Sequence, residues 1–191
     1  MEARDRRPLG EALKAAAPHF AAHKLPPGRH GLSREHVAEN QRWRLLGAAA
    51  ELLAEGGYRS LTTHKVAACA AVSFHTFYVH FRGLDDCLRA AFEAAVKAVG
   101  RSARPAGAVE LLAGDPALAA LFGVEVRAAV PAVAPAFTAF AESLAPESRS
   151  RLLLGAALIL ISERAPVAGG AWDQRAREVA ALAERLSACP G

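Results

Sequence analysis

Between Gly57 and Leu88 the chain reads GYRSLTTHKVAACAAVSFHTFYVHFRGLDDCL, and within it Ala71-Val72-Ser73 splits one helical apolar pattern into two short ones. Helices shorter than about 12–15 residues are marginal in water on their own, so both pieces need a scaffold to pack against. Thr62 or Thr63 can cap the first piece, which runs through Ala70; the second runs from Phe74 to about Phe81, and Gly83 closes it. The scaffold lies just upstream. Ser33 can cap a helix over about 34–55, with Glu35 in its first turn and Leu45, Leu46, Ala49, Leu52 and Leu53 at three- and four-residue steps up to Gly56-Gly57. Val66, Ala70, Val72, Phe77 and Phe81 supply the apolar faces that lock the short helices onto that stripe. A longer amphipathic helix followed by two short ones across a tight turn is the helix-turn-helix pattern.

The rest of the chain also reads as helical, giving an all-α fold. Alanine fills 46 of 191 positions, Ile only two, and aromatics 6%, so material for strands is scarce. Arg outnumbers Lys 19 to 4, a bias that inflates Ala for reasons unrelated to folding, so periodicity weighs more than propensity. A fourth helix is expected from near Asp85 to Gly100, and Arg104-Pro105-Ala106-Gly107 is the natural boundary after it. Further helices are expected over Pro116–Val130, ended by Pro131 and Pro135, then over Ala136–Leu144, Pro146 to about Arg164, and Ala171–Ala188. The divisions are a basic, mostly irregular arm over 1–33, a helix-turn-helix unit over 34–83, a connecting helix over 84–104 and a C-terminal helical domain over 105–191.

Charge and cysteine usage narrow the function classes. Residues 1–34 carry seven basic and three acidic side chains, 35–104 nine and seven, and 105–191 seven and nine, so the positive end is the N-terminal half. Three scattered cysteines give neither a disulfide framework nor a thiolate zinc site. His19 and His23 have helical ligand spacing but no third and fourth partner, so no metal and no cofactor is expected. Neither a G-x-S-x-G turn, an H-E-x-x-H pair nor a phosphate-cradling glycine loop occurs, which argues against an enzyme. The charged N-terminus lacks a signal-peptide core, and the longest apolar run, Leu152–Ile161, is too short to cross a bilayer, so a cytoplasmic protein with no membrane partner is expected.

Leu61, Thr62, Thr63, Val66, Ala67, Ala70, Val72, Ser73, Thr76, Phe77, Tyr78, His80 and Phe81 stand in register with a known pattern. The sequence resembles, over residues 42–90, the tetracycline-repressor (TetR) family of DNA-binding transcriptional regulators. The chemistry of these positions suits double-stranded DNA. Thr63, as a capping threonine, together with Thr76, Tyr78 and His80, can donate to phosphate oxygens, while Arg59 and Lys65 add charge. By resemblance, Ser73 belongs to the same surface, and base reading falls to His64, Phe74 and His75; Phe74 can only stack or touch a thymine methyl. Two positions depart from the family. Ala71 stands where the family usually has Gly, at a cost if φ there is positive. Leu84 stands where a phosphate-binding Lys is common, leaving Arg82 or the basic arm to substitute.

The resemblance implies a repressor acting as a homodimer on a palindromic operator, with a small-molecule effector bound in the C-terminal domain. The last two helices, about 147–164 and 171–188, are the expected dimer contact, given the apolar run in one and the narrow apolar seam of the other. Phe122, Phe137, Phe140 and Trp172 are the candidate effector-lining residues, and the scarcity of charge around them suggests an apolar or aromatic ligand. The alternative is a helical DNA-binding protein that responds to no effector.

Overall fold

The computed structural model describes residues 32–100, 107–108, 111–112 and 115–144, and all regular structure among them is helical. Helix α1 spans Arg34–Gly56 and starts as its sequence dictates: the Ser33 hydroxyl accepts the His36 N–H at 3.1 Å. It ends at Gly57, whose φ of 69° lies in the left-handed region that glycine enters without strain. A short 3-10 turn over Tyr58–Ser60 leads into α2 (Thr63–Cys69), and then come α3 (Phe74–His80) and α4 (Leu84–Val99). Farther on lie α5 (Pro116–Leu121), α6 (Val124–Ala129) and α7 (Val133–Leu144).

Several expected boundaries need correction. Thr62, not Thr63, caps α2: it has extended backbone and its hydroxyl accepts the Lys65 N–H at 3.2 Å, leaving Thr63 as the first helical residue. The single helix expected over 116–130 is two, parted at Phe122-Gly123. Pro135 does not break the chain but sits in the first turn of α7, where its missing N–H leaves no intrahelical bond unmade. Residues 107–108 and 111–112 are helical in a stretch from which no helix was expected. The arm up to residue 31 and the helices expected over 146–164 and 171–188 lie outside the described residues.

One hydrophobic cluster runs through these elements. Leu45, Leu46, Ala49 and Leu53 of α1 meet Val66 and Ala67 of α2, Phe77 of α3, and Leu88 and Phe92 of α4. Helix α1 also packs extensively against α5, and α4 packs against both α5 and α7. The Asp115 carboxylate, fully buried, caps α5 by accepting the N–H groups of Ala117 and Leu118 at 2.9 and 3.1 Å. Phe92 of α4 leads into an aromatic group with Phe122, Phe137 and Phe140, in which Phe122 lies 4.9 Å from Phe92 and 5.3 Å from Phe140 between ring centroids. Two of the four expected effector-lining residues, Phe122 and Phe140, are thus buried in packed core, Phe137 is half-buried, and Trp172 lies outside the described residues. Among the described residues no helix is long and apolar enough to cross a membrane.

Candidate nucleic-acid interface

The turn between α2 and α3 decides how the second short helix is aimed. Ala71 has φ 51°, the left-handed conformation that L residues with a Cβ disfavour, so the missing glycine is a real cost. Arg44 of α1 compensates. Its guanidinium reaches across to donate to the carbonyls of Ala70 and, at 2.9 Å, Ala71, pinning both carbonyls of the turn to the scaffold helix. Burial against the turn draws the Arg44 pKa below its ordinary value. Sequence reasoning missed this residue. The available signal was a charged side chain directly before the apolar stripe beginning at Leu45.

Beyond the turn, Ser73 caps α3, its hydroxyl accepting the Thr76 N–H at 2.9 Å while the Thr76 hydroxyl lies 2.7 Å away. One hydroxyl of this pair keeps a proton free to donate outward. From α3 the chain presents Phe74 at 41% exposure, Tyr78 at 47% and Val79 at 67%, with His75 also exposed. Exposed His64 of α2 completes the surface: its imidazole stacks on Phe74 with centroids 3.9 Å apart and planes 19° apart. Tyr78 meets Phe74 edge-on at 4.9 Å. Thus His64, Phe74 and Tyr78 form one ring cluster, and the same two helices carry exposed His75 and half-buried Thr63 and Thr76.

The electrostatics match an anionic partner. Neither α2 (THKVAAC) nor α3 (FHTFYVH) carries an acidic residue. Arg59, Lys65 and Arg82 are exposed at the margins, although the Lys65 ammonium donates to the Ser60 carbonyl at 2.7 Å and is thereby tied to the preceding turn. The Arg82 backbone N–H donates to Asp86 at 3.1 Å, which leaves its side chain to act separately. Leu84 opens α4 half-buried against the core and brings no charge to this end of the surface. Asp86 is also held by Arg89 at 2.8 Å, and this contact is the main reason its pKa lies below the ordinary carboxylate value.

His80 departs from the expected picture. It is half-buried, and its Nε2 is enclosed without a hydrogen-bond partner, so it does not join the outward group with Tyr78. Burial, followed by the positive charge of Arg42, pulls its pKa below the ordinary histidine value and favours the neutral ring. Arg42 itself lies over the Phe81 ring at 5.4 Å. Elsewhere Cys87 behaves as a small core residue: it is fully buried, and burial pushes its thiol up to about 12. Among the described residues no cluster of three metal-ligating side chains occurs.

Residues 45–91 match the family model for bacterial regulatory proteins of the tetR family. The matched stretch runs from the apolar stripe of α1 through α2 and α3 into α4, and over it the chain is similar to that family. Two solved structures are similar to this chain. The fatty acid degradation regulator FadR from Bacillus halodurans is 17% identical, with 76% of this chain and 92% of that one covered and a TM-score of 0.50, a likeness of fold. The transcriptional regulator FadR from Bacillus subtilis, solved in complex with stearoyl-CoA, is 19% identical, with 75% and 94% covered and a TM-score of 0.46. No curated protein matches the chain significantly.

Proposed function

We propose that this TetR-family transcriptional regulator is a repressor that binds a palindromic operator as a homodimer and leaves it when a small molecule binds. The supporting observation is the pair of helices α2 and α3, free of acidic side chains, on which His64, Phe74 and Tyr78 stand together and His75 is exposed. Base contacts come from His64, Phe74 and His75, and backbone contacts from Thr63, Lys65, Ser73, Thr76, Tyr78 and Arg82. His80 supports this group from behind. One seven-residue helix covers too little DNA to bind tightly, so two copies spaced about 34–36 Å apart are needed. The helices over about 147–164 and 171–188 supply the dimer contact.

The effector enters the C-terminal helical domain beside Phe122, Phe137, Phe140 and Trp172, and an apolar or aromatic body suits it. Arg127, whose guanidinium lies 4.2 Å over the Phe137 ring, adds one half-buried cation to that neighbourhood. The contact of Phe92 with Phe122 supports a route from this region to α3, because α4 begins four residues after α3 ends. By linkage, an effector that favours the DNA-incompetent arrangement binds less tightly when DNA is present.

The test is to sequence genomic fragments retained by the purified full chain at stated salt, then footprint the recovered site with and without candidate effectors. A single protected palindrome and a 40 kDa species in sedimentation, about twice the 20.0 kDa chain, support the proposal. Fragments with no shared sequence, or a monomer that still protects a palindrome, overturn it.

A further inference from the structure

Helix α3 contains no Arg, Lys, Asn, Gln, Asp or Glu. Those are the side chains that read guanine, adenine and cytosine edges by paired hydrogen bonds in the major groove. What α3 offers instead is a large aromatic, Phe74, left 41% exposed at its first turn. The apolar group a major groove presents is the 5-methyl of thymine. Phe74 is not free to swing away from it. The His64 imidazole covers one ring face at 3.9 Å, and Tyr78 stands edge-on at 4.9 Å, so residues from two helices fix the ring before any DNA arrives. Side-chain freedom already lost in the unbound protein is not lost again on binding, which sharpens a small apolar preference.

We infer that Phe74, braced by His64 and Tyr78, is a specificity-determining residue of this reading head and selects thymine through its 5-methyl group. The inference rests on the DNA-binding function proposed above and adds the base it reads. His64 acts here as a positioning residue: its stacked face serves Phe74, while the ring edge stays available for a neighbouring base. Tyr78 divides its contacts between Phe74 and the buried Phe77, 5.4 Å away, and so ties the reading ring to the core.

The experiment uses the full chain and a duplex site selected from a random library at fixed salt. Each thymine of that site is replaced singly by deoxyuridine, which keeps base pairing and removes only the methyl. At one thymine per half-site the replacement weakens binding about fourfold, the worth of one buried methyl-sized group. Phe74→Ala binds thymine and uracil equally there, Phe74→Leu keeps part of the difference, and His64→Ala narrows it. A selected site at which every uracil swap leaves the affinity unchanged overturns the inference while leaving the DNA-binding function standing. So does a Phe74→Ala protein that still distinguishes the two bases. Failure to select any site removes both.

Discussion

Replacing Ala71 by Gly should stabilise the protein, a reversal of the usual cost of introducing glycine. Ala71 holds φ 51° in the turn between α2 and α3. A residue with a Cβ loses about 1–2 kcal/mol in this region, and glycine relieves that. Glycine also gives the unfolded chain more freedom, returning about 0.4–1 kcal/mol of the gain. The balance is a net stabilisation of about 0.8 kcal/mol. For a chain of this length that corresponds to a rise in melting temperature of about 2–3 °C. The Arg44 bonds go to backbone carbonyls that the substitution leaves in place, so the scaffold contact is retained. Urea unfolding of the full chain, followed by helix content, gives the shift in midpoint at constant slope. An Ala71→Gly protein equal to or less stable than the parent would refute the reasoning, showing that the turn does not hold Ala71 in left-handed conformation in solution.

Three further outcomes follow from the same geometry. Arg44→Ala should destabilise the chain by about 1–2 kcal/mol, since two carbonyls lose a charged donor at a half-buried site, and Arg44→Lys should recover only part of this; urea titration of the three proteins measures it. Asp115→Ala removes the buried cap of α5 and should cost about 1–2 kcal/mol, read from the denaturation midpoint, whereas Asp115→Asn should cost less because it still accepts from Ala117 and Leu118. His80, whose pKa is depressed by burial and by Arg42, contributes stability that is complete above the ordinary histidine range of about 6.5 and declines as pH falls through it, because the unfolded chain then binds the extra proton. Comparing midpoints at pH 7.5 and 5.5 should therefore show a smaller acid loss for His80→Gln than for the parent; an equal loss would place the effect in other groups.

The sequence announced the helix-turn-helix because its signals are local. Ser33, Thr62 and Gly57 act within one turn of themselves, and the Ala71 departure could be seen as a cost from the sequence alone. Long-range features were not legible. Arg44 reaches carbonyls 26 and 27 residues away, and no spacing rule connects them. The stacking of His64 on Phe74 depends on how two helices meet across the turn, and the burial of His80 Nε2 near Arg42 of α1 likewise depends on packing between distant segments. In the C-terminal half, Phe122, Phe137 and Phe140 were identifiable only as bulky apolar residues. That they meet one another and Phe92 is a matter of packing. Pro135 misled for a physical reason: proline is compatible with the opening turn of a helix and disruptive later, and the sequence did not show where α7 begins.

Helix α1 is a shared beam. One side carries Arg44, which grips the turn that aims α3, and the same helix lies against α5 of the C-terminal half. The reading head is therefore not a cassette that can be cut away at Gly83 and kept whole, since severing it would strip apolar cover from the helix that steadies the turn. It also means that α5 touches the helix that holds the turn directly, without α4 between them, so a change of packing around α5 is one helix away from the grip of Arg44.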